Sequence, residues 1–300
     1  MERFNAWVWN EGRFAYLVLS PVLIILTVLT VYPLVSAVVM STQLLDYRRP
    51  LEFGSFLGLD NYVRLLSSAD FWSSLRLTVT FVLVTVSLQT VFGFVIALIA
   101  HAARAGRGIV RAAILLPWAL PTSINAMVWR WMFNTDYGVI NDILLRTGIV
   151  EVAIPWLGSG PTAFAAISGT AIWKVSSFMG LLILAGLQGI PDSFYESASV
   201  DGANRWQQFW AITVPAVRPA LMVALIFRTN DAFRVFDLIY VLTGGGPGGS
   251  TRSVAMMAYE TNFRDLSFGY GSTLSVVMFL ISVIISATYL YFFYLKRGEE

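Results

Sequence analysis

The chain has 300 residues, 57% of them apolar and 13% charged, and a mean hydropathy of +0.69 that does not suit a water-exposed globule. Its 20 basic and 18 acidic side chains leave a formal charge of +2, with no basic arm for a nucleic-acid duplex. The absence of cysteine excludes disulfides, iron–sulfur clusters and thiol catalysis, and the single histidine, His101, builds no metal site alone.

A helix needs about 20 predominantly apolar residues to cross the hydrocarbon core. Such windows occur at Phe14–Met40, Leu75–Ala100, Ile109–Met132, Ala163–Leu187, Ile212–Tyr240 and Tyr270–Leu295. Backbone groups in lipid must find partners internally, and no period-two alternation is sustained. The expected fold class is therefore an all-α polytopic membrane protein with six transmembrane helices. The first window is longer than a signal-peptide core and lacks a small-x-small cleavage site, so it is read as a retained span. Residues 1–13 carry Arg3, Trp7, Trp9 and Arg13, which suits either an interfacial segment or a disordered tail; residues 296–300 form a second tail. With both termini on one side, nine basic residues fall on that side and eight opposite, so totals do not discriminate. The short loop His101–Arg111 holds three arginines and no acid, which favours cytoplasmic termini.

Pro117 and Pro121 predict a kink in the third span. Trp118, Trp129, Trp131 and Trp156 flank spans and read as interfacial aromatics, while Gly180 and Gly186 read as helix-packing positions. In the fourth span, Lys174 lies four residues before Phe178, on the same face. A mid-span lysine marks a functional site or snorkels toward a headgroup, and both readings stand.

The segment Ile190–Pro215 is polar enough to leave the bilayer and reads as two short helices. Ser193 and Glu196 have capping-box spacing, Gly202 suits a left-handed end to the first helix, and the second starts near Asn204. Phe194, Tyr195 and Ala198 offer a compact surface for a groove in another subunit, against the alternative of an ordinary interfacial hairpin.

The fifth span carries Arg228, Asp231, Arg234 and Asp237 at intervals of three, interleaved with Asn230, Phe233, Phe236 and Tyr240. One reading is a set of salt bridges that holds the bundle. The other is a solute site, since polar groups beside aromatic planes suit sugar hydroxyls and C–H faces. Arg228–Asp231 fits the first reading better, and Arg234 and Asp237 the second.

The spacing Glu196-Ser-Ala198, Gly202, Ile212-Thr-Val-Pro215 resembles the EAA signature of permease subunits in binding-protein-dependent ABC importers, with Ser197 for the usual alanine and Val214 for the usual leucine. Tyr32-Pro33, Gly58-Leu-Asp-Asn61-Tyr62, Leu116-Pro117, Trp129, Phe133 and Leu242-Thr-Gly-Gly-Gly-Pro247 resemble the sugar-permease branch. The stretch from Phe227 to Tyr240 is similar to trehalose-import permeases. The resemblance implies a type I ABC importer fold over residues 14–295, with a cytoplasmic coupling helix inside the loop 190–215.

It also implies contact with an ATPase through Tyr195, Glu196, Ser197, Ala198, Asp201 and Gly202. It implies solute contact near Lys174, Phe178, Phe233 and Arg234, to which the polar and aromatic pattern itself adds Asn230, Asp231, Asp237 and Tyr240, although maltose permeases are Asn-rich where these charges stand. The implied partners are a second permease subunit, two ATP-binding subunits and an external solute-binding protein. The implied solute is an α-linked disaccharide such as trehalose or maltose, with a glycerophosphate-type or polyol compound as runner-up. The chain has two lysines, Lys174 and Lys296, neither in a phosphate cradle. No cofactor or catalytic role is therefore expected in this chain, and Mg-ATP belongs to the partner. An ion-coupled secondary transporter is the competing class, but it would need no docking loop, and no internal repeat is evident.

Overall fold

The computed structural model describes residues 11–103 and 106–292. The parts of the N-terminal segment up to residue 10 and the tail at 296–300 lie outside them. The described residues form helices α1 (Glu11–Leu26), α2 (Tyr32–Ser41), α3 (Asp60–Leu66), α4 (Ala69–Ala102), α5 (Arg107–Ala119), α6 (Thr122–Met132) and α7 (Val139–Arg146). These are followed by α8 (Gly160–Leu187), α9 (Asp192–Val200), α10 (Arg205–Gln208), α11 (Val214–Phe233), α12 (Asp237–Leu242), α13 (Val254–Phe263) and α14 (Phe268–Leu290). Among the described residues, pairing of the β type is confined to isolated bridges.

Five helical stretches are long and apolar enough to span a bilayer: Ala15–Ser41, Ala69–Ala102, Gly160–Leu187, Arg205–Phe233 and Phe268–Leu290. The sixth is a bent pair, α5 and α6, which meet at 85°. The proline signal therefore marks a break rather than a kink. Pro121 forces its predecessor out of the helical region, and Leu120 is extended at φ −68°, ψ 133°.

Two five-residue π turns, Thr27–Val31 and Phe209–Thr213, precede α2 and α11. Each ends shortly before a proline, Pro33 or Pro215, near the start of the next helix. Proline has no N–H for the carbonyl four residues back, and the wider turn relaxes the backbone there.

The fifth span differs from the continuous helix expected as far as Tyr240. Helix α11 ends at Phe233, Arg234 leaves the helical region at φ −94°, ψ 20°, and α12 starts at Asp237. No proline or glycine marks this break. The carbonyl of Val235 is instead taken by the Ser253 hydroxyl at 2.8 Å.

The chain divides into two compact units, residues 1–68 with 258–277, and residues 69–257 with 278–300. In the first, Asn61 gathers the end of α2: its amide nitrogen donates to the carbonyls of Ser41 at 2.9 Å and Gln43 at 3.1 Å. The hydroxyls of Tyr62 and Ser41 meet at 2.7 Å. The Asn61-Tyr62 motif thus has a structural role in this fold. Between Ala15 and Ser41, Ser41 alone is buried, and among the described residues the apolar surface of the first span is largely exposed.

In the second unit, α4, α8 and α11 form the centre. Phe81, Ala126, Ile167, Phe233 and Ile239 belong to one apolar cluster, and Ala97, Met179, Ile183 and Val217 to another. Helices α4 and α8 cross closely at Gly93 and Gly180. A Cβ on Gly180 would stand 2.7 Å from Ile96 Cγ2 and 3.2 Å from the Gly93 carbonyl. Gly186 similarly faces Ala220. Both glycines are packing positions, as expected.

Candidate functional site

The second unit contains a half-open cleft of about 150 Å³ between α4, α5, α6, α8, α11 and α12. Its charged lining is Lys174, Arg228, Asp231, Arg234 and Asp237. The aromatic walls are Phe81, Trp118 and Phe236. Helix α8 carries Lys174 to the cleft, where Nζ donates to the Trp118 carbonyl at 3.4 Å. This lysine is part of the cleft lining. Arg228, Asp231 and Asp237 line the same cleft.

The break at Arg234 brings the charges around the cleft instead of along one helical stripe. Arg228 is 8% exposed, donates through Nη1 to Asp231, and donates through Nε to Gln89 at 3.3 Å. Arg234 folds back on Asn230, donating from Nε to its carbonyl at 3.3 Å. Asp237 opens α12 and is exposed. Of the expected series of pairs, Arg228–Asp231 is formed, while Arg234 and Asp237 belong to different segments.

Lys174, Asp231, Arg234 and Asp237 therefore line the cleft, but several other expected contacts do not. Phe233 is 1% exposed inside the apolar core, because the helix ends there and turns the ring away from the polar side. Asn230 points to another helix, donating to the Ser286 hydroxyl at 3.1 Å and to the Ile226 carbonyl at 3.0 Å. Phe178 stands behind the lining, stacked on Trp118 at 5.1 Å. Tyr240 likewise stacks on Phe236 at 5.3 Å.

Trp118 is the largest miss. Its place beside Pro117 reads as an interfacial position, yet the bend after α5 presents it to α8 and the cleft. Trp129 packs on Trp173, and Trp156 donates to Asn141 at 3.0 Å, so these two also serve the interior. Trp131 remains exposed. Among the described residues, no cluster of three His, Asp or Glu groups is arranged for a metal.

The loop after α8 has its own order. Pro191 precedes α9 in an extended conformation, and Gly202 reverses the chain at φ +82°, a conformation that strains residues with a Cβ. The expected capping box at Ser193 is absent, since Ser193 already lies inside α9. The box forms instead at Asn204–Gln207: Gln207 N donates to Asn204 Oδ1 at 2.9 Å, and Asn204 N donates to Gln207 Oε1 at 2.8 Å. Phe194, Glu196, Ser197 and Asp201 are exposed, and Ala198 is half-buried. Tyr195 does not face outward with Phe194; its hydroxyl meets that of Thr213 at 2.9 Å, and it braces α9 on the next span.

A helical membrane subunit with a polar cleft and an ordered loop between two spans defines the class. Residues 89–297 match the family described as "Binding-protein-dependent transport system inner membrane component", and the chain belongs to that family. It is a transport permease rather than an enzyme or an ion-coupled secondary transporter. The chain is 44% identical to the trehalose/maltose transport system permease protein MalF of Thermococcus litoralis, over 94% of both chains. It is 42% identical to the sulfoquinovosyl glycerol transport system permease protein SmoG of Agrobacterium fabrum, over 97% of this chain and 94% of that one. Its fold matches a chain of a bacterial alginate ABC transporter, solved with an alginate pentasaccharide-bound periplasmic protein. That match has a TM-score of 0.81 at 20% identity and covers 94% of each chain.

Proposed function

We propose that this chain forms half of the translocation pathway of an ABC importer for an α-linked disaccharide such as trehalose or maltose. The observation that carries this reading is the cleft itself, in which hydrogen-bonding charges from α8, α11 and α12 face Phe81, Trp118 and Phe236. Sugar hydroxyls take carboxylate acceptors and cationic donors, and the C–H face of a ring stacks on an aromatic plane. The 44% identity to a trehalose/maltose permease supports the same solute class.

A cleft of about 150 Å³ is smaller than the ~300 Å³ or more that encloses a drug-sized ligand, which supports a second permease supplying the opposite wall. The exposed first span supports the same arrangement, as its apolar surface suits lipid or a partner helix.

The loop 190–215 docks on one of two ATP-binding subunits through Phe194, Glu196, Ser197, Ala198, Asp201 and Gly202, with Tyr195 bracing it from within. Nucleotide-driven closure of those subunits, each holding Mg-ATP, moves α9 and rocks the spans between outward-open and inward-open states. A solute-binding protein delivers the sugar from outside. Both termini and the docking loop are on the cytoplasmic face.

A second reading has its own observation: three cations and two acids line the cleft, leaving one positive charge for an anionic glycoside or glycerophosphate-type solute. The test is ATP hydrolysis by the assembled complex in nanodiscs with trehalose, maltose or a glycerophosphodiester. Stimulation by a neutral disaccharide, lost in Glu196→Ala and right-shifted in Arg234→Ala, supports the first reading. Stimulation by the anionic solute alone replaces it with the second.

A further inference from the structure

Gln89 is fully buried in the middle of α4, and none of its atoms lines the cleft. A buried primary amide in an apolar setting is costly unless its donors and acceptor find partners. Here Nε2 donates to the Ala171 carbonyl of α8 at 3.2 Å, and Oε1 accepts from Arg228 Nε of α11 at 3.3 Å. The same guanidinium donates through Nη1 to Asp231, whose side chain is 67% exposed and lines the cleft. One amide therefore ties three helices together and ends in the carboxylate that faces the solute space.

Its polarity is fixed at both ends. A main-chain carbonyl can only accept, and a guanidinium can only donate, so the amide has one satisfactory orientation. Arg228 has little freedom to choose another acceptor at 8% exposure. With Nε held by Gln89, the rigid plane of the guanidinium sets the direction in which Nη1 meets Asp231.

We propose that Gln89 is a positioning residue that, through Arg228, fixes the Asp231 carboxylate for solute binding. This rests on the cleft being the solute site. Gln89→Met keeps the side-chain length and apolar bulk but removes both hydrogen bonds, leaving Arg228 Nε without its acceptor.

The test measures ATP hydrolysis by the assembled complex in nanodiscs against trehalose and maltose concentration, together with its thermal unfolding. Gln89→Met is expected to raise the half-saturating concentration about tenfold, the scale of losing a hydrogen bond to a charged group. The maximal rate stays within about twofold, as for a change confined to binding. In an Asp231→Asn background, the same substitution adds no further shift, because both act on one path. An equal shift in both backgrounds overturns the proposal, as does a loss of maximal rate and melting temperature at unchanged half-saturation. If Asp231→Asn leaves half-saturation unchanged, the cleft reading itself fails. If Asp231→Asn shifts half-saturation and Gln89→Met does not, the role of Gln89 alone is withdrawn.

Discussion

The hydroxyl of Tyr195 in α9 meets the hydroxyl of Thr213, in the π turn that opens α11, at 2.9 Å. This bond ties α9 to the membrane span that carries Arg228 and Asp231. Tyr195→Phe removes this bond while keeping the ring. A net loss of about 1 kcal/mol is expected for the brace. Transport per ATP hydrolysed, measured in proteoliposomes, falls, while assembly of the complex on size exclusion is unchanged.

In the anionic-solute reading, Lys174 is one of three cations that outnumber two acids in the cleft lining. Lys174→Ala changes the cationic excess in the cleft, so affinity for an anionic glycoside drops more than affinity for a neutral disaccharide. A difference of roughly 1–3 kcal/mol, as for a charge-assisted hydrogen bond, would be read by calorimetric titration of the complex with each solute.

Packing of α4 on α8 leaves no room at Gly180. Gly180→Ala drives a methyl group against Ile96 and is expected to cost about 1–3 kcal/mol in thermal unfolding in detergent. Ile96→Ala in the same chain removes the Cγ2 contact but leaves Ile96 Cβ at 3.0 Å and the Gly93 carbonyl at 3.2 Å, so it is expected to relieve the clash only in part.

Acid sensitivity is expected at Asp46. Hydrogen bonds from the Arg48 side chain, Nε at 3.0 Å and Nη2 at 3.1 Å, hold this carboxyl below the ordinary carboxylate range. A carboxyl lowered by folding stabilises the native state above its unfolded pKa of about 3.9, and that contribution disappears as pH falls through the folded value. Melting temperature therefore declines below about pH 4 in the parent chain, while Asp46→Asn flattens this limb. Arg48 is exposed, so added salt also weakens the effect.

The spans were legible because a run of some 20 apolar residues has few other uses. Gly202 and Asn204 were legible because a left-handed turn and an N-cap each select a narrow set of residues. The break after Phe233 was not: Arg234-Val235-Phe236 contains no helix breaker, and a serine 18 residues later takes up the freed carbonyl. Phe233 is expected at the cleft by resemblance and Asn230 by its position among the charges, whereas burial in the apolar core and the bond to Ser286 depend on neighbouring helices that no local pattern names. Trp118 was hidden for a related reason, since the 85° bend that aims it depends on Pro121 three positions later. Gln89 gave no signal at all. A lone amide in an apolar run becomes meaningful once Ala171 and Arg228 are seen on either side of it.

The turn Phe209–Thr213 holds one residue more than an α-helical path would use. Each residue of an α-helix advances the facing direction by about 100°. The wide turn absorbs that surplus residue, so the loop 190–215 and the cleft keep nearly the relative bearing that a regular helix one residue shorter would give them. A one-residue deletion there would restore a regular helix with little rotation of loop against cleft, whereas a one-residue deletion in the regular helix that follows would swing one against the other by about a quarter turn.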